Sequence, residues 1–213
     1  MERMAKNFED EKDILFPEVV HEWSNSDILT MSFMDGVKIT RVDELDRLGI
    51  DRTKLATRLV QSFFKQLFVD RFFHADPHPG NFLVQKGPDG ALALKGFRRM
   101  GFVSAEGNKE LLEQTAMTYF GKLLKLEKRT PDALMKADRK SLQKLVDPEV
   151  ERQELRDLMR SFTYPEGWFY VERASVIAFW LVGQIDPELD TMSIGVPYVL
   201  PLVMQKQMSS MTA

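Results

Sequence analysis

The stretch that constrains this chain most is His74-Ala-Asp-Pro-His-Pro-Gly-Asn81. It follows an apolar run over 51–72 that reads as a helix and leads into Phe82-Leu-Val84, which reads as a strand. A polar loop between two buried elements needs a stiff backbone, and two prolines and one glycine supply it. Turn chemistry alone would choose Asp, Pro, Gly and Asn. The spacing adds a second meaning: Asp76 is followed five residues later by Asn81 on the same short loop. A carboxylate there can accept a proton or orient a nucleophile, and an amide oxygen can bind a hard cation.

The two loop histidines carry less. His74 and His78 stand at i and i+4. Pro77 and Pro79 prevent the helix that would bring both onto one metal, so zinc is a poor reading. His74 reads as a residue that packs and bonds within the loop, His78 as one that faces substrate, and Gly80 as part of the turn.

Hydrophobic residues make up 44% and charged residues 29% of the 213 residues, the balance of an ordinary globular chain. The net charge of −3 gives no basic excess for a nucleic-acid partner. There is no cysteine, which removes disulfides, thiolate-bound zinc and thiol chemistry. Met1-Glu-Arg-Met-Ala-Lys6 lacks the apolar centre of a signal peptide, and Val176–Val182 is too short to span a bilayer. The expected location is cytoplasmic.

Residues 1–13 read as the end of a helix. Residues 14–22 and 27–34 are rich in strand formers around Ser24-Asn-Ser-Asp27 and read as a hairpin closed by Asp35-Gly36. Thr40–Asp43 suits a helix start. Leu55, Leu59, Phe63, Leu67 and Phe68 repeat at helical spacing behind Asp51, a candidate cap, and form a core face. Strands are expected at 82–85 and 91–94 around Lys86-Gly-Pro-Asp-Gly90. From about Ala105 the chain reads as helical, over 105–126, 131–145, 149–162, 166–184 and 197–208, and the charged run Lys122–Arg129 as a solvated face.

Phe72-Phe-His-Ala-Asp-Pro-His-Pro-Gly-Asn-Phe-Leu-Val84 closely resembles the signature of the UbiB/AarF family of atypical kinase-like proteins. The resemblance extends upstream to Phe16–Val20 and Ile28–Gly36, similar to the last N-lobe strands and hinge. Downstream it covers Arg99–Gly101 and the segment from Val171-Glu-Arg-Ala174 to Ile185–Leu189. Protein kinases carry His-Arg-Asp, four residues, then Asn; His74-Ala75-Asp76 and Asn81 keep that spacing. The resemblance implies an α+β, protein-kinase-like C-lobe, mainly helical, with an N-terminal β-hairpin and hinge. It divides the chain into 1–36, an N-lobe remnant with the hinge, and 37–213, the C-lobe. Asp76 becomes the base and Asn81 a metal ligand. The backbone of Met31, Ser32, Phe33 and Met34 would face adenine. ATP and Mg2+ are the implied cofactors, with a lipid or quinone-pathway partner and association with membranes.

The chain departs from an active kinase in two ways. No Gly-rich phosphate loop and no Val-Ala-Ile-Lys-like strand occur in it; the N-lobe that should carry them is expected upstream of Met1. Where the family has Asp-Phe-Gly, this chain has Gly96-Phe97-Arg98, so the metal-binding carboxylate is lost. Arg98 sets a cation where Mg2+ would sit, and like charges about 4 Å apart repel strongly unless solvated. The expectation is a truncated kinase-like protein that binds nucleotide weakly and is weak or inactive alone. The alternative is a pseudokinase or a non-catalytic helical interaction module. An uncovered N-lobe face would also favour oligomers.

Overall fold

A computed structural model describes residues 1–86, 92–96, 102–104, 106, 108, 110–113, 115–116, 130–131, 133, 136 and 167–211. Its centre is α3 (Arg52–Phe64), whose start is set by Asp51: the carboxylate accepts the Lys54 N–H at 3.0 Å. Leu55, Leu59, Val60, Phe63 and Phe64 line one side of α3 and are buried. They pack on α4 (Trp168–Ile185) and α5 (Thr191–Met211) through Val171, Ala178, Phe179, Val182 and Val199. Phe64 joins the three helices, with its ring centroid 5.8 Å from Phe68 and 6.2 Å from both Phe179 and Tyr198. Replacing the capping carboxylate by Asp51→Ala should cost about 1 kcal/mol, read as a lower urea midpoint at unchanged slope.

The helix does not run to residue 72 as its periodicity suggests. At Lys65–Val69 it widens into a π turn, closed by the Asp70 N–H on the Lys65 carbonyl at 2.9 Å. Lys65 grips both Asp70 carboxylate oxygens at 2.9 Å, donates to the Asn7 carbonyl at 2.6 Å and lies over the Phe8 ring. Burial pushes the Asp70 carboxyl above the usual carboxylate range in spite of Lys65. Arg71 then takes a left-handed backbone, φ 52°, and reverses the chain into β3 (Phe72–His74).

The N-terminal segment closes over this corner. Met4 and Phe8, the first on α1 (Glu2–Asn7), form a small core with Ile14, Phe16 and Phe72. Arg58 of α3 holds Asp13 through two bonds of 2.5 and 2.6 Å and Glu11 through one of 2.7 Å. These carboxylates hold the Arg58 guanidinium above its ordinary range.

Strands β1 (Ile14–Leu15), β2 (Val37–Lys38), β4 (Phe82–Lys86) and β5 (Leu92–Gly96) form one sheet in the order β1-β5-β4-β2. The β4–β5 and β2–β4 pairs are antiparallel and β1–β5 is parallel. Strand β3 pairs antiparallel with β6 (Phe102–Ser104). Gly36, at φ 152°, carries the chain across β4, where a Cβ would stand 2.9 Å from the Val84 carbonyl oxygen.

The hairpin expected over 14–34 is present in reduced form. Its antiparallel bonds run from Val20 to Thr30 and from Ser32 to Glu18, with Val19 opposite Met31. Asn25 closes it by accepting from the Asp27 and Ile28 N–H groups. Pro17 cannot donate to a ladder, so Ile14–Leu15 pairs with β5 instead and His21–Trp23 coils into a short 3-10 turn. The last helix begins at Thr191 rather than 197, because Asp190 caps it through the Met192 and Ser193 N–H groups, leaving Pro197 inside. The helices expected over 105–126, 131–145 and 149–162 lie largely outside the described residues; positions 110–113, 115–116, 131, 133 and 136 are helical.

Candidate functional site

The loop hangs between β3 and β4, and each flank is fixed from the core. Phe73 is fully buried, Ala75 is 4% exposed and Val84 is fully buried. At the near end the His74 N–H donates to Gln66 Oε1 of the π turn at 3.1 Å. Pro79–Asn81 form a 3-10 turn, with the Asn81 N–H on the His78 carbonyl at 2.8 Å.

Asp76 sits at the middle of this bracing. Its N–H donates to His74 Nδ1 at 3.0 Å, which makes that ring nitrogen the unprotonated acceptor. Its carbonyl accepts the His78 N–H at 2.7 Å and Asn81 Nδ2 at 2.9 Å. Both backbone groups of Asp76 are therefore satisfied inside the loop. His74 bonds within the loop, as its position suggests. His78 is exposed and accepts the Gly80 N–H through Nδ1 at 3.1 Å.

The Asn81 amide spends its nitrogen on Asp76 and keeps Oδ1 as the atom able to meet a cation. The β4–β5 ladder sets Phe82 opposite Gly96, so Gly96 lies beside the loop's far end. Thus Asp76, Asn81 and Gly96 come to one end of the ladder. Phe97 and Arg98, the rest of the degenerate metal motif, lie outside the described residues.

One partner escaped the sequence reading. Arg173 Nη2 of α4 lies 2.9 Å from Asp76 Oδ1, with the two side chains 40% and 18% exposed. Arg173 and Glu172 are the only charged residues in this 18-residue helix. A lone cation on an apolar helix, set against a loop carboxylate awaiting a partner, is the signal that could have pointed to the pair.

Mg2+ prefers one or two carboxylates together with phosphate oxygens. Here the donors are the Asn81 amide oxygen and a carboxylate that Arg173 already holds, while Gly96 supplies none. Among the described residues no group of three or more His, Asp or Glu side chains could hold a metal. The described donor set does not fit a Mg2+ site of the ordinary kind.

The Met31–Met34 edge is legible in the hairpin bonds. The Thr30 carbonyl and Ser32 N–H turn inward to Val20 and Glu18, so by strand alternation the Met31 backbone faces the opposite edge. Phe33 is 91% exposed, and Trp23, Ile28 and Leu29 of the same hairpin are also open to solvent. The chain's own helices do not cover this face.

Comparisons with known proteins agree with the fold. The family model described as ABC1 atypical kinase-like domain matches residues 1–130. Two chloroplastic proteins of Arabidopsis thaliana, Activity of BC1 complex kinase 8 and kinase 7, are each 28% identical to the chain. The alignments cover 95% and 97% of this chain but 33% and 32% of those proteins, so the chain spans about a third of their length. The structure of Rv3197 of Mycobacterium tuberculosis, solved as a complex with erythromycin, superposes with a TM-score of 0.54 at 18% identity. It covers 92% of this chain and 55% of its own, a likeness of fold alone.

Proposed function

Because the chain belongs to the ABC1 atypical kinase-like family, part of the UbiB/AarF group, we propose that it is a kinase-like lobe that binds ATP weakly and transfers phosphoryl groups poorly alone. The observation that carries this is the loop. Its Asp76 backbone is braced on both sides and Asn81 is locked to it, yet the neighbouring strand end offers Gly96 in place of a carboxylate. Phosphoryl transfer is mostly positioning and charge neutralisation, so a preserved base without its electrostatic partners does little. Adenine would lie along the outward backbone of Met31–Met34. We place the division between an N-lobe remnant and the C-lobe at Asp35–Gly36, where Gly36 crosses onto β4.

The family resemblance points to a lipid or quinone-pathway substrate class. We place the protein in the cytoplasm, with any membrane association peripheral. Among the described residues no helix is long and apolar enough to cross a membrane. The open apolar hairpin also supports a second reading, an interaction module that docks a partner or a second copy there.

Calorimetry of ATP on the isolated chain tests the first reading. Weak, saturable binding is expected, and Phe33→Pro, which removes a backbone donor on the exposed edge, should abolish it. A folded chain that takes up no ATP would overturn the nucleotide reading. Concentration-dependent sedimentation that disappears when Trp23 and Phe33 are made polar would favour the second.

A further inference from the structure

Resting on the nucleotide reading above, we propose that Arg173 is the resident cation of the loop. It would contact the nucleotide phosphates directly, so that phosphate binding by this chain does not require a divalent metal. The juxtaposition is the Arg173 guanidinium on Asp76 Oδ1 at 2.9 Å, beside an asparagine whose nitrogen is already used.

The charges make the argument. Without a cation, the described loop presents a phosphate with the Asp76 carboxylate and the Asn81 amide oxygen, both of which repel it. Gly96 adds nothing to hold a metal. The guanidinium beside Asp76 is the positive group that the described structure places within bonding distance of the loop carboxylate. Its recorded bond uses one nitrogen, whereas a guanidinium has five N–H donors in a planar fork that matches phosphate oxygens. At 40% exposure the head is reachable from solvent.

The position is also held. Val171 and Ala174 on either side are fully buried against the core, so α4 cannot turn without unpacking. A half-exposed ion pair adds little to stability. Anchoring one so firmly to a loop braced on every backbone group fits a binding role better than a stabilising one.

The test uses the isolated chain with three probes, ATP, inorganic tripolyphosphate and adenosine, each titrated calorimetrically in EDTA and in Mg2+. The expected result is ATP and tripolyphosphate binding that is the same with or without Mg2+. Arg173→Gln should weaken both by about tenfold or more while adenosine binding stays, and Arg173→Lys should recover part of the loss. Asp76→Asn, which frees the guanidinium, should tighten tripolyphosphate binding; this variant keeps the proposal open to failure if Arg173→Gln does not fold. Equal affinity in wild type and Arg173→Gln would overturn the proposal and leave the nucleotide reading standing. So would a wild-type affinity that rises about tenfold with Mg2+, since a metal would then carry the charge. No ATP binding by wild type would overturn both.

Discussion

ATP turnover by this chain is expected to lie several orders of magnitude below that of a complete phosphotransferase, and Asp76→Ala should leave the residual rate unchanged. The reasoning follows from what the chemistry requires. The transition state spreads charge over three phosphoryl oxygens, and catalysis comes from cradling and neutralising them. Removing one preorganised donor typically costs about 10²–10³ in rate. This sequence lacks the phosphate loop, its lysine and the carboxylate at Gly96, so the losses compound. The double replacement Gly96→Asp with Arg98→Gly should restore divalent-metal binding beside Asn81, visible by calorimetry with Mn2+ as the probe. It should not restore turnover, because nothing new holds the phosphates. Release of inorganic phosphate from ATP, followed in wild type and Asp76→Ala, decides the matter. Brisk wild-type turnover that vanishes in Asp76→Ala would sink the inactive reading.

The largest structural effect is expected at Phe73. It is fully buried on β3, one residue before His74, and pairs across to Val103. Phe73→Ala removes a whole ring from a packed site and should cost about 3–5 kcal/mol. Phe73→Leu keeps most of the volume and should cost roughly 1–1.5 kcal/mol. Urea unfolding measures both. Amide exchange adds a second reading, since the loop bonds of Asp76, His78 and Asn81 depend on where β3 sets His74. Fast exchange across 74–81 in Phe73→Ala, with α3 still protected, would show that the core ring positions the loop. A cost below about 1 kcal/mol would mean that the site collapses freely around the missing ring.

Much of this was legible in the residues, and the exceptions share a cause. The helical repeat of Leu55, Leu59, Phe63 and Leu67 shows α3, and Asp51 marks its start. The turn at 86–90 sits between the two strands β4 and β5. The spacing of Asp76 and Asn81 marked the loop, and the structure puts the two side by side. What stayed hidden depends on residues far apart in the chain. The two-residue strand Ile14–Leu15 is too short to leave a pattern, and its partner is Leu94–Lys95. Strand β6 is defined by pairing with Phe72–His74, not by any alternation of its own. Arg173 reads as an ordinary helical cation until the fold brings Asp76 to it.

The π turn at Lys65–Val69 bears on how this chain can tolerate change in length. A π turn holds one residue more per turn than the α-helix around it, as though a single insertion had been absorbed. Deleting one residue there would return the segment to α geometry and rotate everything beyond it by about 100°. Lys65 would lose its grip on Asp70, Gln66 would swing off the His74 N–H, and Arg71 would reverse the chain in the wrong direction. A deletion in the exposed turn between β4 and β5 would meet no such penalty. Length variation between α3 and the loop should therefore be nearly forbidden, while substitutions on the solvent side of the same turn, such as at Val69, pass freely.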